Sequence, residues 1–203
     1  MVVYKMTPTK ANLIKAKGSL GFAKKGYELL DRKRTVLIRE MMSLIDRASE
    51  LQERIDIEFK QAYEALKLAN ITIGSEYVSE LASSIAKEES FDILFKSVMG
   101  VEVPIIKRED TILTTEYGFF RTNPAFDKAV LKFTDIKNLI YELAELENSV
   151  YKLAMEIKKT QKRANALDKI QIPKYTSTIK YIEEVLEEKE REDFFRLKRV
   201  KGK

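Results

Sequence analysis

The sequence predicts a mainly α-helical protein built on a long, left-handed, antiparallel two-helix coiled coil, with a small middle segment of different structure. Small or apolar residues recur at spacings that alternate between three and four residues, from Leu13 to Ala69 and again from Ala129 to Gln171. A heptad repeat kept over that length holds its seam against a partner only if the helices supercoil left-handed. Glycine and proline are absent from residues 27–73 and 125–172, as uninterrupted helices require. The high share of charged residues, 34%, is typical of helices with a thin core.

Composition excludes several kinds of site. The chain has no cysteine and no histidine, so disulfides, thiolate ligands, and the usual metal ligand and general base are all absent. We therefore predict no catalytic residue, no metal site and no cofactor. The first residues lack the apolar run of a signal peptide, and no stretch is apolar enough to cross a bilayer. We expect a cytoplasmic protein without direct membrane insertion.

The first coiled-coil helix is assigned to residues 1–70. Thr7-Pro8 is a typical helix start. Threonine can accept a hydrogen bond from an unpaired N–H of the first turn, and proline at the first helical position sacrifices no hydrogen bond. The segment up to Tyr27 carries no acidic residue, and a solvated basic face is as good an explanation as a contact surface. Its six basic residues are Lys5, Lys10, Lys15, Lys17, Lys24 and Lys25.

Residues 71–124 form the middle segment, where the heptad pattern stops. Nine acidic against five basic residues give it a net charge of −4. Helical spacing of apolar residues predicts one or two short helices within Glu76–Ser97. Alternating β-branched and aromatic residues predict a β-hairpin from Val101–Ile106 and Ile112–Phe120, joined by the run Lys-Arg-Glu-Asp. A connection this long between coiled-coil helices is more often functional than idle.

The second coiled-coil helix is assigned to residues 125–203, after the Asn123-Pro124 start signal. Pro173 should kink or break it, because proline lacks an N–H and clashes with the preceding turn. Beyond it the chain changes from acidic to basic and ends in a tail with aromatic residues. If the two helices are antiparallel and aligned at the middle segment, Arg34 falls near Asp168 as a possible ion pair in the seam. The predicted seam comprises Leu30, Leu37, Met41, Leu44, Leu51 and Ile55 on the first helix and Leu139, Leu143, Leu146, Val150, Leu153 and Ile157 on the second.

Two runs near the ends of the chain resemble one protein family. PTKANLIKAKGSLGFAKKGYELLDRKRTVL and KRANALDKIQIPKYTSTIKYIEEVLEEKEREDFFRLKRVK are similar to the D subunit of the vacuolar-type and archaeal-type rotary ATPases. The resemblance implies a non-catalytic central-stalk rotor that transmits torque between the A/B head and the membrane ion-translocating rotor. It also implies that the A and B subunits surround the joined termini, while the middle segment contacts the F subunit and the C subunit, which is the socket on the membrane side. No nucleic acid is implied, and the protein would be peripheral to the membrane through the complex.

The same resemblance suggests which residues face the inner wall of the head. They lie on the basic amino-terminal face and on the tail, which an antiparallel pair would bring together. These residues are Lys10, Lys15, Lys24, Lys25, Phe194, Phe195, Arg196, Leu197, Lys198 and Arg199.

Two other classes of function are considered. The sequence pI of about 9.1 and the basic end suit a coiled-coil nucleic-acid-binding arm, although no recognised RNA or DNA motif is present. A helical scaffold satisfies the periodicity equally well, and only the terminal motifs argue against it. An enzyme is the least favoured class, because the acidic residues are scattered along charged helix faces.

Overall fold

The computed structural model describes residues 4, 6–85, 91–108, 117–118, 120 and 122–202, with Arg108 described by its backbone only. The described chain is mainly helical with a two-stranded antiparallel sheet in the middle, which confirms the predicted fold class. The elements in chain order are α1 (Lys10–Ile73), α2 (Ser75–Ser84), β1 (Phe91–Val98), β2 (Val101–Arg108), α3 (Pro124–Ala166), a π-helical turn (Leu167–Gln171) and α4 (Ile172–Lys201). The chain divides into two compact units, residues 1–37 with 156–203 and residues 38–155.

The two long helices begin at capped positions. The helix α1 starts at Lys10, two residues later than the Thr7-Pro8 pair predicts, because the Thr9 hydroxyl accepts the Asn12 backbone N–H at 3.2 Å. The helix α3 starts at Pro124, where the Asn123 side-chain oxygen accepts the Phe126 backbone N–H at 3.0 Å.

In the unit of residues 38–155, α1 and α3 run antiparallel. Residues further along α1 contact residues earlier in α3. Arg47 lies 3.8 Å from Glu142, and Glu58 lies 2.7 Å from Lys132. The seam core is formed by Leu51, Ile55 and Leu146, with Leu44, Leu139 and Leu143 packed against it. A second cluster contains Ala69 of α1, Val78 and Leu81 of α2, and Tyr117 and Phe126.

In the other unit, the first part of α1 runs antiparallel to the end of α3 and to α4. Ion pairs join Lys10 to Glu190 at 2.8 Å and Lys17 to Glu183 at 2.7 Å. Buried side chains include Ala16, Ala23, Ala164, Ile179 and Ile182. Small residues on α1 and aliphatic residues on α4 are therefore buried within the same unit.

The hairpin differs from the predicted one. Phe91–Val98 is a strand and not a helix, and it pairs with Val101–Arg108 from Phe91↔Arg108 to Val98↔Val101. The helical spacing of Phe91, Leu94 and Phe95 is outweighed by this pairing and by the two-residue loop that follows. Of the predicted second strand Ile112–Phe120, the described residues Tyr117, Gly118 and Phe120 are not in a strand, and the others lie outside the described residues.

The hairpin turn is Met99-Gly100, with φ of +53° and +79°. Positive φ at both central residues is characteristic of a type I′ turn, whose twist matches that of the flanking strands. The usual sequence signal for this turn is Asn-Gly, so the Met-Gly pair did not predict a hairpin turn here.

Pro173 does not end the helix. The π-helical turn Leu167–Gln171 precedes it, and α4 begins at Ile172 with the proline in its first turn. The Ile172 N–H bonds to the Leu167 carbonyl five residues earlier, and this widened turn accommodates a proline ring that would clash with an ordinary α-helical turn. The predicted interruption is thus confined to a change of helix type over five residues.

Candidate contact surfaces

The carboxyl-terminal tail is the most exposed apolar surface among the predicted contact residues. The side chains of Phe194, Phe195, Leu197 and Val200 are 65%, 63%, 66% and 76% exposed. They lie beyond Glu190, which pairs with Lys10 at the start of α1. The remaining residues of α4 continue about 16 Å past that ion pair, at 1.5 Å per residue. Contiguous exposed apolar side chains are typical of interaction surfaces.

The charges of the tail differ in how they are paired. Arg196 lies 3.8 Å from both Glu192 and Asp193 on the same helix. Lys198 and Arg199 form no ion pair within the described chain. Together with Lys201, which also has no ion pair with a described residue, they give the tail three uncompensated cations beside its apolar side chains.

The basic amino-terminal face does not lie against the basic tail, contrary to expectation. Lys10 and Lys17 pair with the acidic part of α4, at Glu190 and Glu183. Contact with Glu190 raises the pKa of Lys10, and the same contact lowers the pKa of Glu190. The antiparallel register explains the difference, because it places α1 opposite the acidic stretch and leaves the basic end of α4 beyond it.

Three predicted contact residues on α1, Lys15, Lys24 and Lys25, are exposed and have no ion pair with a described residue. Lys15 borders a cavity of about 740 Å³ that is also lined by Met6, Phe22, Leu167 and Tyr175. Phe22 is 81% exposed. Sequence reasoning missed Phe22, although a phenylalanine outside the heptad seam is a signal that it has another role.

Tyr4 holds the amino-terminal segment against α4 beside this cavity. Its backbone N–H donates to the Thr178 hydroxyl at 3.0 Å, and its own hydroxyl donates to the Gln171 side chain. Its ring lies 4.7 Å from that of Tyr175, and the Lys174 ammonium lies 4.0 Å from its centre. Burial and the neighbouring Tyr175 raise the pKa of Tyr4. No sequence pattern indicated this contact.

The predicted seam residues are all buried or half-buried. Leu37 and Leu153 are fully enclosed, at 0% exposure each. Two polar exceptions in the repeat, Glu58 and Lys132, pair with each other at 2.7 Å and are 28% and 26% exposed. A polar pair inside a seam favours one register over its alternatives.

Arg34 does not pair with Asp168. Its guanidinium contacts Asp31 at 2.6 Å and donates to Gln161, which stands one heptad before Asp168. Leu167, the neighbour of Asp168, lies near Gly26, where its side chain is 3.6 Å from the position of an added Cβ. Gly26 is about two helical turns before Arg34 on α1. The Arg34 Nε is buried without a partner among the described atoms.

The hairpin contacts α3 through both of its strands. The backbone N–H of Ile106 donates to the Glu145 carboxylate at 3.2 Å. On β1, the ring of Phe91 lies 5.8 Å from that of Tyr141, and the Lys152 ammonium lies 4.7 Å from the ring centre of Phe95. Every residue from Phe91 to Ser97 is nonetheless exposed.

An apolar cavity of about 410 Å³ lies between α1, α2 and α3. It is lined by Leu66, Val78, Ala82, Phe126 and Val130, among others. No group of acidic side chains in the described ranges is arranged to hold a metal ion. Across those same ranges, the long helices are all too polar to be candidates for crossing a membrane.

Comparison with known proteins gives a consistent result. A family model for the ATP synthase D subunit matches residues 12–202. The V-type ATP synthase D subunit of Thermotoga neapolitana is 48% identical over 98% of both chains. The A-type ATP synthase D subunit of Methanopyrus kandleri is 41% identical over 97% of this chain and 85% of that protein. The A-type ATP synthase D subunit of Thermococcus sibiricus is 38% identical, covering 98% and 95% respectively.

Proposed function

Because the chain belongs to the family of ATP synthase D subunits and is therefore part of a V/A-type ATPase, we propose that it is the central rotor shaft of that complex. In this role it transmits torque between the nucleotide-binding head of A and B subunits and the ion-translocating rotor in the membrane, on the cytoplasmic side, and catalyses no reaction itself. The observation that carries the proposal is an antiparallel helix pair whose carboxyl-terminal helix ends in an exposed, apolar and basic tail.

The proposed mechanism rests on differential binding. Nucleotide hydrolysis changes which A/B pair in the head is closed, and each closed form favours one orientation of an asymmetric shaft. Torque is then the difference in interaction free energy between orientations, and the coupling acts equally in the reverse direction during synthesis. The shaft needs an uneven surface and a fixed internal register for this purpose.

Both requirements have support in the contacts. The tail is a single helix beyond the last α1–α4 ion pair, so it presents different groups in different directions. Within the unit of residues 38–155, the Glu58–Lys132 pair fixes the register of α1 against α3. A slip by one heptad would leave both charges half-buried without a partner.

The tail is tested by truncating the chain after Glu192. The truncation removes Phe194, Phe195 and Leu197 with their neighbouring cations, and keeps both ion pairs between α1 and α4. We expect normal helicity but weaker binding to a reconstituted A/B head and ATP turnover uncoupled from rotation. The matched control is full-length Lys180→Ala, which removes an exposed ion pair of α4 outside the predicted contact residues and should bind the head normally. Equal head binding and equal torque from the truncated chain would contradict this role for the tail.

We also propose that the end containing α2 contacts the F subunit and the C subunit. The open apolar cavity beside α2 supports this, because such cavities bind partners at their surface. Ala82→Arg places a long cation at the cavity and should weaken binding of the F or the C subunit. Ser79→Arg, at an exposed position of the same helix that does not line the cavity, is the control. Identical binding by the two variants would exclude the cavity as a contact site.

A further inference from the structure

The outer edge of β1 pairs with no other strand of the described residues. The sheet contains β1 and β2, and the outer edge of β2 faces α3, where the Ile106 N–H donates to Glu145 at 3.2 Å. On the opposite side, β1 is exposed from Phe91 to Ser97. Its backbone groups on that edge form no hydrogen bond with a described residue.

The hydrogen-bond pattern shows which backbone N–H and C=O groups of β1 point away from β2, towards the outer edge. The Ile106 N–H points away from β1, towards Glu145. Ile106 and its partner Ile93 therefore form a non-hydrogen-bonded pair. Pro104, which has no N–H, lies opposite Phe95 and fits the same alternation. The outward N–H and C=O groups on β1 are therefore those of Phe91, Ile93, Phe95 and Ser97.

The charges on β1 are complementary to the same strand reversed. Asp92 and Lys96 are exposed, form no ion pair with a described residue, and flank Leu94, which is 50% exposed. An antiparallel copy centred on Leu94 brings Asp92 opposite Lys96 twice. The same register places Ile93 opposite Phe95, and both residues have outward backbone groups.

We propose that the free chain forms a twofold-symmetric dimer in which β1 pairs antiparallel with β1 of a second copy, centred on Leu94. The register forms about eight backbone hydrogen bonds, two in each hydrogen-bonded pair. It also forms two ion pairs and two aromatic–β-branched cross-strand contacts, both favourable across antiparallel strands. The dimer covers an apolar edge that is otherwise open to aggregation.

The dimer is weak and reversible. In this register seven residues of each strand pair, Phe91 to Ser97, whereas a stable interface uses roughly 20–30 residues on each side. The proposal concerns the chain before it assembles with other subunits and is independent of its role as a shaft.

A cysteine at the centre of the strand tests the register. The chain has no natural cysteine, so Leu94→Cys introduces the only thiol. In the proposed dimer the two Leu94 Cα atoms form a non-hydrogen-bonded pair about 4.5 Å apart, within disulfide range. Lys96→Cys is the matched control on the same face of the strand, with its two Cα atoms about 13 Å apart. Under mild oxidation of the full chain, we expect Leu94→Cys to form the covalent dimer at least tenfold faster.

A charge-reversal cycle in the Leu94→Cys background tests the ion pairs. Asp92→Lys or Lys96→Asp alone puts like charges opposite each other and should slow cross-linking several-fold. The double reversal restores opposite charges in the same register and should recover the original rate. Sedimentation of the same reversals without the cysteine should show matching shifts in the dimer dissociation constant. Equal cross-linking at positions 94 and 96, no dimer at either, or a double reversal no better than the singles would overturn the proposal.

Discussion

Replacing Lys132 with methionine should destabilise the α1–α3 seam more than losing an exposed ion pair does. The change leaves the Glu58 carboxylate, 28% exposed, without its partner 2.7 Å away. Exposed pairs contribute about 0–1 kcal/mol, and breaking a fully buried pair costs about 3–5 kcal/mol. For this mostly buried pair we expect a loss of about 1–3 kcal/mol in the free energy of unfolding.

The double variant Glu58→Met/Lys132→Met should recover most of that loss. Methionine favours helix and fills a seam, and neither charge then needs to leave water, so we expect stability within about 1 kcal/mol of the natural chain. Urea unfolding followed by circular dichroism measures the four corners of the cycle, and Lys10→Ala is the exposed-pair control. If Lys132→Met costs no more than Lys10→Ala, or the double variant is no more stable than the single, the pair does not determine the seam's stability.

Three further predictions follow from local geometry. Met99→Asn should stabilise the hairpin by up to about 1 kcal/mol, because Met99 has a φ of +53° that asparagine tolerates better; unchanged or faster amide exchange at the turn would contradict this. Burial and the 2.7 Å hydrogen bond to Asp127 raise the pKa of Tyr117 to about 12. Its contribution to stability is therefore complete below the ordinary tyrosine pKa of about 10 and lost as pH rises from there towards 12, so thermal unfolding of Tyr117→Phe should depend less on pH in that window. Gly18→Ala and Gly21→Ala should each raise the unfolding free energy by up to about 1 kcal/mol, because an added Cβ meets no atom within 4 Å; a lower melting temperature would show a conformational need for glycine.

The seam could be predicted from the sequence, whereas its register could not. Heptad spacing assigns Leu37 and Leu153 to the seam however far one helix is shifted along the other. Both side chains are buried. The same spacing is satisfied after a shift by one heptad, and the predicted partner of Arg34 was wrong by that amount. The Glu58–Lys132 contact carries the missing information, but it is recognisable only once the two helices are aligned.

The middle segment shows a different limit. Phe91, Leu94 and Phe95 fit helical spacing and also suit a strand, so the pattern alone does not decide between them. The choice depends on pairing with β2 and on the Met99-Gly100 turn. The contact of Tyr4 with α4 was likewise unpredictable, because it joins residues far apart in the sequence outside any repeat.

Single-molecule rotation tests the proposed shaft function most directly. With the A/B head fixed to a surface, a bead is attached to the chain through Ser79→Cys, an exposed position on α2 in a chain without natural cysteine. If the chain is the rotor shaft, the bead turns in one direction while ATP is hydrolysed and stops when ATP is removed. A bead that stays still relative to the head during continued hydrolysis would show that the chain is not the rotor shaft.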